Sequence, residues 1–287
     1  MFFCTFLIYQ LPLTGVKLSA SIVAYKNPAP VIQRAIDCFL AGTKESTLYL
    51  IDNSPTQELN ALTLPARVEY ISNVRNAGFG AAHNIALRKT LHTSDYHLIL
   101  NPDISFDADV LPALHQFMES HRDVGLVMPK VLNPAGELQY LCRLLPTPRT
   151  MVLRSPLNFL QVAAKKENYY YELQFADYNT IMDVPFLSGC FMFIRTSVLV
   201  KSGLFDERFF LYAEDVDLSR RIQRYSRTVY FPGVTIRHHS AGLLPEHMGR
   251  LLHKVRSLIQ YFNKWGWFND AERDHINEQT LRAYARP

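Results

Sequence analysis

Short apolar runs, each closing on a polar or glycine-bearing turn, alternate with segments of helical spacing through the first third of the chain. Leu18 to Ala24, rich in small and β-branched residues, predicts a strand, and Pro30 to Leu40, with Val31, Ile32, Ala35, Ile36 and Phe39 on one face, predicts a helix. Leu48 to Ile51 reads as a strand that ends at Asp52-Asn53-Ser54-Pro55. Val68 to Ile71 is the next, leading to the turn Asn76-Ala77-Gly78-Phe79-Gly80 and a helix over Ala81 to Thr90. His97 to Leu100 then runs into Asn101-Pro102-Asp103. Repeated β-α-β units of this length predict an α/β fold, a mostly parallel sheet with helices on both faces. Ligands of such sheets bind beyond the carboxyl ends of the strands, where Asp52, the glycine turn and Asp103 all fall.

The later chain is less regular. Between Pro146 and Thr180, Pro146 and Pro148 break the pattern, and Arg149, Arg154, Lys165, Lys166 and Tyr169 to Tyr171 follow. This reads as an insert over the mouth of the site, touching an acceptor or a lipid head group; tyrosines also simply fill interfaces. Val234 to His239 reads as a strand running out to paired histidines. Near the end, Leu251, Val255, Leu258 and Phe262 recur at helical spacing, with Arg250, Lys254, Lys264, Trp265, Trp267 and Phe268 around them. Such a helix suits an anionic leaflet, or docking on the rest of the chain or on a second subunit. Residues 1–17 are read as a disordered leader, an extra edge strand or a start-site extension: they contain Pro12, lack a basic start and fall short of the roughly 20 residues that span a bilayer.

With 287 residues, 48% of them hydrophobic, the chain can bury a substantial core. Its net charge of +4 is uneven: residues 1–194 carry 15 basic and 16 acidic side chains, and residues 195–287 carry 15 and 10. A local attraction to phosphates or an anionic membrane follows, rather than a nucleic-acid partner with a broad cationic face. Cys4, Cys38, Cys142 and Cys190 lie far apart, with no metal-type spacing, which fits a reducing compartment.

Chemistry concentrates in Tyr212-Ala213-Glu214-Asp215-Val216-Asp217-Leu218-Ser219-Arg220-Arg221, three carboxylates beside two arginines. One acidic group for a metal and another for a base is the minimal kit for moving a group off a diphosphate, and Asp103 with Asp215 would supply it. A capped, solvated helix start is the plainer reading of the cluster, and ordinary ion pairs explain Arg220 and Arg221 as well as phosphate contact does. The glycine turn is neither the dinucleotide fingerprint nor a P-loop, since the third glycine and a following Lys-Ser or Lys-Thr are absent.

Val23-Ala24-Tyr25, Ile51-Asp52-Asn53-Ser54, Asn76-Ala77-Gly78-Phe79-Gly80 with Asn84, Leu100-Asn101-Pro102-Asp103, Phe186 to Arg195, Gly203 to Asp206, and Phe209 to Leu218 follow one another in an order that resembles the inverting family-2 glycosyltransferases of GT-A fold. Within that family the chain is most similar to bacterial rhamnosyltransferases of O-antigen and related polysaccharides. The resemblance covers roughly residues 18–265 and implies a catalytic unit over 18–245, with a donor half (18–105), an acceptor half (106–245) and an insert at about 146–180, followed by a helical extension (246–287).

Position by position, the resemblance implies that Asp52 contacts the nucleoside, with the backbone near Ala24 and Tyr25 completing the base pocket. Asn76, Gly78 and Asn84 would line the donor. Asp103 matches the last acid of the family's metal motif, with Asn101 in place of the first, so that Mg2+ or Mn2+ would bridge the diphosphate; an amide oxygen is the poorer ligand for a hard cation. His238, rather than His239, is expected as a further ligand. Glu214-Asp215 matches the catalytic pair, Asp215 being the base, and Gly189 gives room for acceptor and donor to meet.

The function so implied is transfer of L-rhamnose from dTDP-L-rhamnose to a hydroxyl of a lipid-linked glycan in lipopolysaccharide or O-antigen synthesis, in the cytoplasm or peripherally on the inner face of the membrane. Galactofuranose, glucose or N-acetylglucosamine from a UDP donor is the nearest alternative. A sugar-1-phosphate nucleotidyltransferase is more distant, because Ala24-Tyr25-Lys26-Asn27-Pro28 offers no basic, glycine-rich phosphate loop.

Overall fold

A computed structural model describes residues 15–56, 59, 62–73, 75–154, 161–239 and 248–284; most of the leader and the middle of the insert lie outside the described residues. The first elements are β1 (Leu18–Ala24), α1 (Ala29–Ala41), β2 (Thr47–Asp52), β3 (Val68–Ser72), α2 (Phe79–Thr90) and β4 (Tyr96–Leu100), close to the expected bounds. There follow β5 (Ile104–Phe106), α3 (Val110–Ser120), β6 (Val124–Leu132), β7 (Cys142–Arg143), α4 (Pro148–Leu153) and α5 (Gln161–Tyr171). Then come β8 (Met182–Asp183), β9 (Phe186–Leu187), β10 (Phe191–Arg195), α6 (Thr196–Ser202), α7 (Glu214–Gln223), β11 (Arg227–His238), α8 (Met248–Trp265) and α9 (Ala271–Tyr284).

The main sheet has the order β3-β2-β1-β4-β10-β6-β11-β5, with β8 pairing on β11, and a small second sheet joins β7 to β9. β1 pairs in parallel with β2 on one side and β4 on the other, so chain order reverses beside it and opens a crevice at its carboxyl end. Every residue of β1 is buried, as a strand covered on both faces requires. Its serines face a sealed polar cluster: Ser19 and Ser21 hydroxyls lie 2.8 Å from the two ring nitrogens of His97, and Ser21 is 2.7 Å from His83 Nδ1. Burial pushes the His97 imidazole down to about 3, so the ring is neutral.

Two departures from a simple parallel sheet build the site. β10 runs antiparallel to β4, with Phe191 opposite Leu100, so the Ser188-Gly189-Cys190 turn that starts β10 arrives beside Asn101 where β4 ends. β11 slips register between Phe231 and Thr235, around Pro232-Gly233, and its last residue, His238, then stands opposite Ile104, next to Asp103. Behind these strands α8 docks through Tyr261 and Phe262, buried among Leu145, Phe186, Phe209, Ala213 and Val216. Its other face leaves Leu252, Val255 and Ile259 exposed. Among the described residues, no helix is long and apolar enough to cross a membrane.

Candidate active site

At one corner, Asp103 and His238 face each other with His238 Nε2 3.4 Å from Asp103 Oδ1, an oxygen that is buried and without a hydrogen-bond partner. Gln139 fixes the histidine tautomer. Its amide nitrogen donates to the His238 carbonyl at 3.2 Å, so its oxygen is the atom 3.0 Å from His238 Nδ1, and Nδ1 carries the proton. With the proton on Nδ1 held by Gln139, Nε2 is the ring nitrogen turned toward the Asp103 oxygen. A backing amide that orients a histidine in this way is the usual arrangement at metal centres. His239 points elsewhere, with Nε2 2.7 Å from the Ser105 hydroxyl. No cluster of three or more metal-ligating side chains exists among the described residues. Asp103 and His238 fit a divalent cation that takes its remaining oxygens from phosphate and water, a common habit of Mg2+. The Asn101 side chain makes no hydrogen bond among the described residues; its backbone N–H donates to the Cys190 carbonyl at 2.9 Å.

At the other corner, Glu214 and Asp215 open α7 after two consecutive left-handed residues, Tyr212 (φ 69) and Ala213 (φ 67). Such non-glycine conformations cost about 1–3 kcal/mol each and persist only where the surroundings enforce them. Here they turn the chain so that the helix begins on the carboxylates. Asp215 accepts from the Gly189 N–H at 3.0 Å and from the Val216 N–H at 2.9 Å. A Cβ on Gly189 would sit 3.1 Å from Asp215 Cβ, so glycine there makes room for the carboxylate itself. Burial raises the Asp215 carboxyl above the ordinary range, opposed by those N–H groups and by the nearby Arg143 cation. Burial and the Asp215 charge push Glu214 up to about 8.

These corners share the Ser188-Gly189-Cys190 turn: Cys190 receives Asn101 through its carbonyl, Gly189 holds Asp215 through its N–H, and burial raises the Cys190 thiol, with the Asp103 and Asp215 charges adding to it. The two carboxylates, distant in sequence, thus converge.

The expected donor-lining residues divide. Ala24 ends β1 fully buried and Tyr25 stands half exposed beyond it. Asp52 is buried, with one oxygen accepting from the Ser54 N–H at 2.9 Å and the other from the Tyr70 hydroxyl at 2.9 Å. Asn76 accepts from the Gly78 N–H at 3.0 Å and from the Asn53 side chain at 3.2 Å, shaping the turn. Gly78 (φ 88) lets a backbone come close, as expected, but it is that of Phe210: an added Cβ would fall 2.1 Å from the Phe210 carbonyl oxygen. Asn84 is a correction. Its amide is buried and fully engaged, donating to the Phe205 carbonyl and Glu207 and accepting from the Phe205 N–H, so it clamps α2 to the segment before α7 rather than lining the donor.

Asp217 and the arginines close on one another and on the C-terminal helices. Asp217, fully buried, receives Arg221 at 2.9 Å, the Trp265 indole at 2.8 Å and Lys264 at 2.7 Å. Arg220 is also buried, forked onto Asp270 at 2.6 and 2.7 Å, paired with Glu272 and stacked 4.1 Å from the Trp265 ring. Neither arginine is available to phosphate.

Residues 17–250 match the family described as glycosyltransferase like family 2. The chain belongs to that family. Among curated relatives, this family-2 chain is 25% identical to the low-salt glycan biosynthesis hexosyltransferase Agl10 of Haloferax volcanii over 72% of its own length and 62% of that protein's. It is 26% identical to the N-acetylglucosaminyl-diphospho-decaprenol L-rhamnosyltransferase of Mycobacterium tuberculosis over 75% of its own length and 74% of the relative. In fold it is similar to GalNAc-T7 solved with UDP, GalNAc and Mn2+, at TM-score 0.64 and 16% identity, covering 95% of this chain and 52% of that one. The fold is GT-A.

Sequence reading missed Gln139 and Arg143. Gln139 lies 99 residues from its histidine, and nothing local marks it. Arg143 did leave a signal: it is a lone cation within the apolar run Leu141 to Leu145.

Proposed function

We propose that this chain is an inverting transferase that moves L-rhamnose from dTDP-L-rhamnose to a hydroxyl of a lipid-linked glycan, in the synthesis of a cell-surface polysaccharide such as O-antigen. The observation that carries the reading is the convergence of Asp215 and the Asp103–His238 pair on the 188–190 turn. Rhamnose, and an acceptor on a lipid diphosphate, rest on the mycobacterial relative's printed activity. The exposed apolar face of α8 supports placing the enzyme peripherally on a membrane surface.

A divalent cation held by Asp103 and His238 would neutralise the charge gathering on the departing nucleoside diphosphate. Asp215 takes the proton of the acceptor hydroxyl as its oxygen bonds to the anomeric carbon and the bond to the diphosphate breaks on the opposite face. The Gly189 and Val216 N–H groups hold that carboxylate ionised and aimed. Glu214, protonated near neutrality, keeps a second negative charge away from the base.

The test is nucleoside diphosphate release by purified protein from a panel of nucleotide sugars, with and without Mn2+, in the presence of a lipid-linked acceptor. Metal-dependent dTDP release from dTDP-rhamnose is expected. Release only from UDP-sugars would reassign the donor, and pyrophosphate release would indicate a nucleotidyltransferase.

A further inference from the structure

Arg143 is a cation that the reaction described above leaves unused. It sits on β7, paired with Phe186 of β9, and its guanidinium lies 5.7 Å from the Phe186 ring. Its Nε is buried without a hydrogen-bond partner, and no carboxylate forms an ion pair with it among the described residues. Among other half-buried arginines, Arg154 has Glu172, Arg195 has Glu119 and Arg221 has Asp217, while Arg67 is held by the Leu40 and Thr43 carbonyls. A half-buried cation without a counter-ion leaves a place for an anion that a ligand supplies. The neighbourhood is that of the base, since β9, which pairs with β7 at Arg143, runs directly into the Ser188-Gly189 turn whose N–H holds Asp215.

Phe186, beside this cation, packs in the buried cluster that includes Phe262 and touches Met151 and Leu258. On the far side of that cluster Met151, Leu258 and Phe262, with Val152, Val255 and Ile259, wall a groove of about 280 Å³ between α4 and α8, and Val152, Val255 and Ile259 are exposed. A cation on one side of the cluster and an apolar trough on the other match a ligand with an anionic head and a hydrocarbon tail.

We propose that Arg143 grips the diphosphate that joins the acceptor saccharide to its prenyl carrier, with the first stretch of the prenyl chain lying in the α4–α8 groove. This rests on the transferase reading and names what holds its acceptor. It assigns Arg143 to acceptor affinity and not to the nucleotide, whose diphosphate belongs with Asp103 and His238.

Calorimetry on the full chain tests it with farnesyl diphosphate as the acceptor probe and with dTDP plus Mn2+ as the donor probe. Arg143→Gln should weaken farnesyl diphosphate by about ten- to hundredfold, the usual worth of a charge-assisted contact, and leave dTDP binding within about threefold. Arg143→Lys should recover part of that loss, and intact dTDP binding by both variants certifies the fold. Equal affinity of Arg143→Gln and wild type for farnesyl diphosphate overturns the proposal. So does dTDP affinity falling in step, which would place Arg143 on the donor, or wild-type protein that does not bind the prenyl probe. Arg143-dependent prenyl diphosphate binding in a protein that binds no nucleotide would instead sink the transferase reading.

Discussion

On the back of α7, Asp217 is surrounded by Arg221, Lys264 and the Trp265 indole, and Arg220 is locked between Asp270 and Glu272. In the other region, Asp103 Oδ1 and Glu214 Oε2 have no hydrogen-bond partner among the described residues, and Asp215 accepts from the Gly189 and Val216 N–H groups. Both regions are acidic and look alike in sequence. They differ in whether their valences are filled: a closed set of ion pairs binds the C-terminal helices to α7, whereas the other set keeps carboxylate oxygens without partners among the described residues. Charge alone does not mark a site; unmet charge does.

The contrast can be broken at several points. Asp215→Asn should lower turnover by about 10²–10⁴ while dTDP affinity stays close to wild type, since an amide keeps the geometry and loses the base; normal turnover would move the base elsewhere. Arg220→Met, on the closed side, should cost about 3–5 kcal/mol of stability by stranding the buried Asp270, read as a lowered urea midpoint, with KM unchanged below the transition. A rise in donor KM would instead make Arg220 a phosphate ligand. Gln139→Leu should weaken Mn2+ activation by about 10–100-fold, because the His238 ring loses the acceptor that orients it. An unchanged Mn2+ dependence would detach the histidine from the metal.

The smallest effect is expected from Glu214→Gln. Glu214 is pushed up to about 8, so glutamine resembles its protonated form and activity at pH 7 should stay within about threefold of wild type. The Asp215 carboxyl is raised by burial, and only its ionised form accepts a proton. The rate should therefore climb with pH along an acid limb that lies above the usual carboxylate value of about 4. An acid limb at or below that value would contradict the burial argument.

Much of residues 18–105 was legible because β2, β3, β4 and the turns after them are local patterns: apolar runs that lead to Asp52, Gly78 and Asp103. Periodicity reports that a segment is buried, but not which neighbour buries it. The antiparallel seat of β10 beside β4, which brings Gly189 to Asn101, depends on strand order and was not readable. The same limit applies to single side chains. Asn84 and Gly78 stood in the expected motif, yet their partners are Phe205, Glu207 and Phe210, more than a hundred residues away. The Glu214–Arg221 cluster could not be divided by sequence into chemistry and clamp, because Trp265, Lys264 and Asp270, which close half of it, arrive from another part of the chain.

The most direct measurement is a crystal structure of the protein with Mn2+ and dTDP. Manganese is expected between Asp103 Oδ1 and His238 Nε2, with the terminal phosphate facing the Gly189–Asp215 side of the same cavity. A metal bound away from that pair, or a wall of protein between the nucleotide and Asp215, would contradict the account.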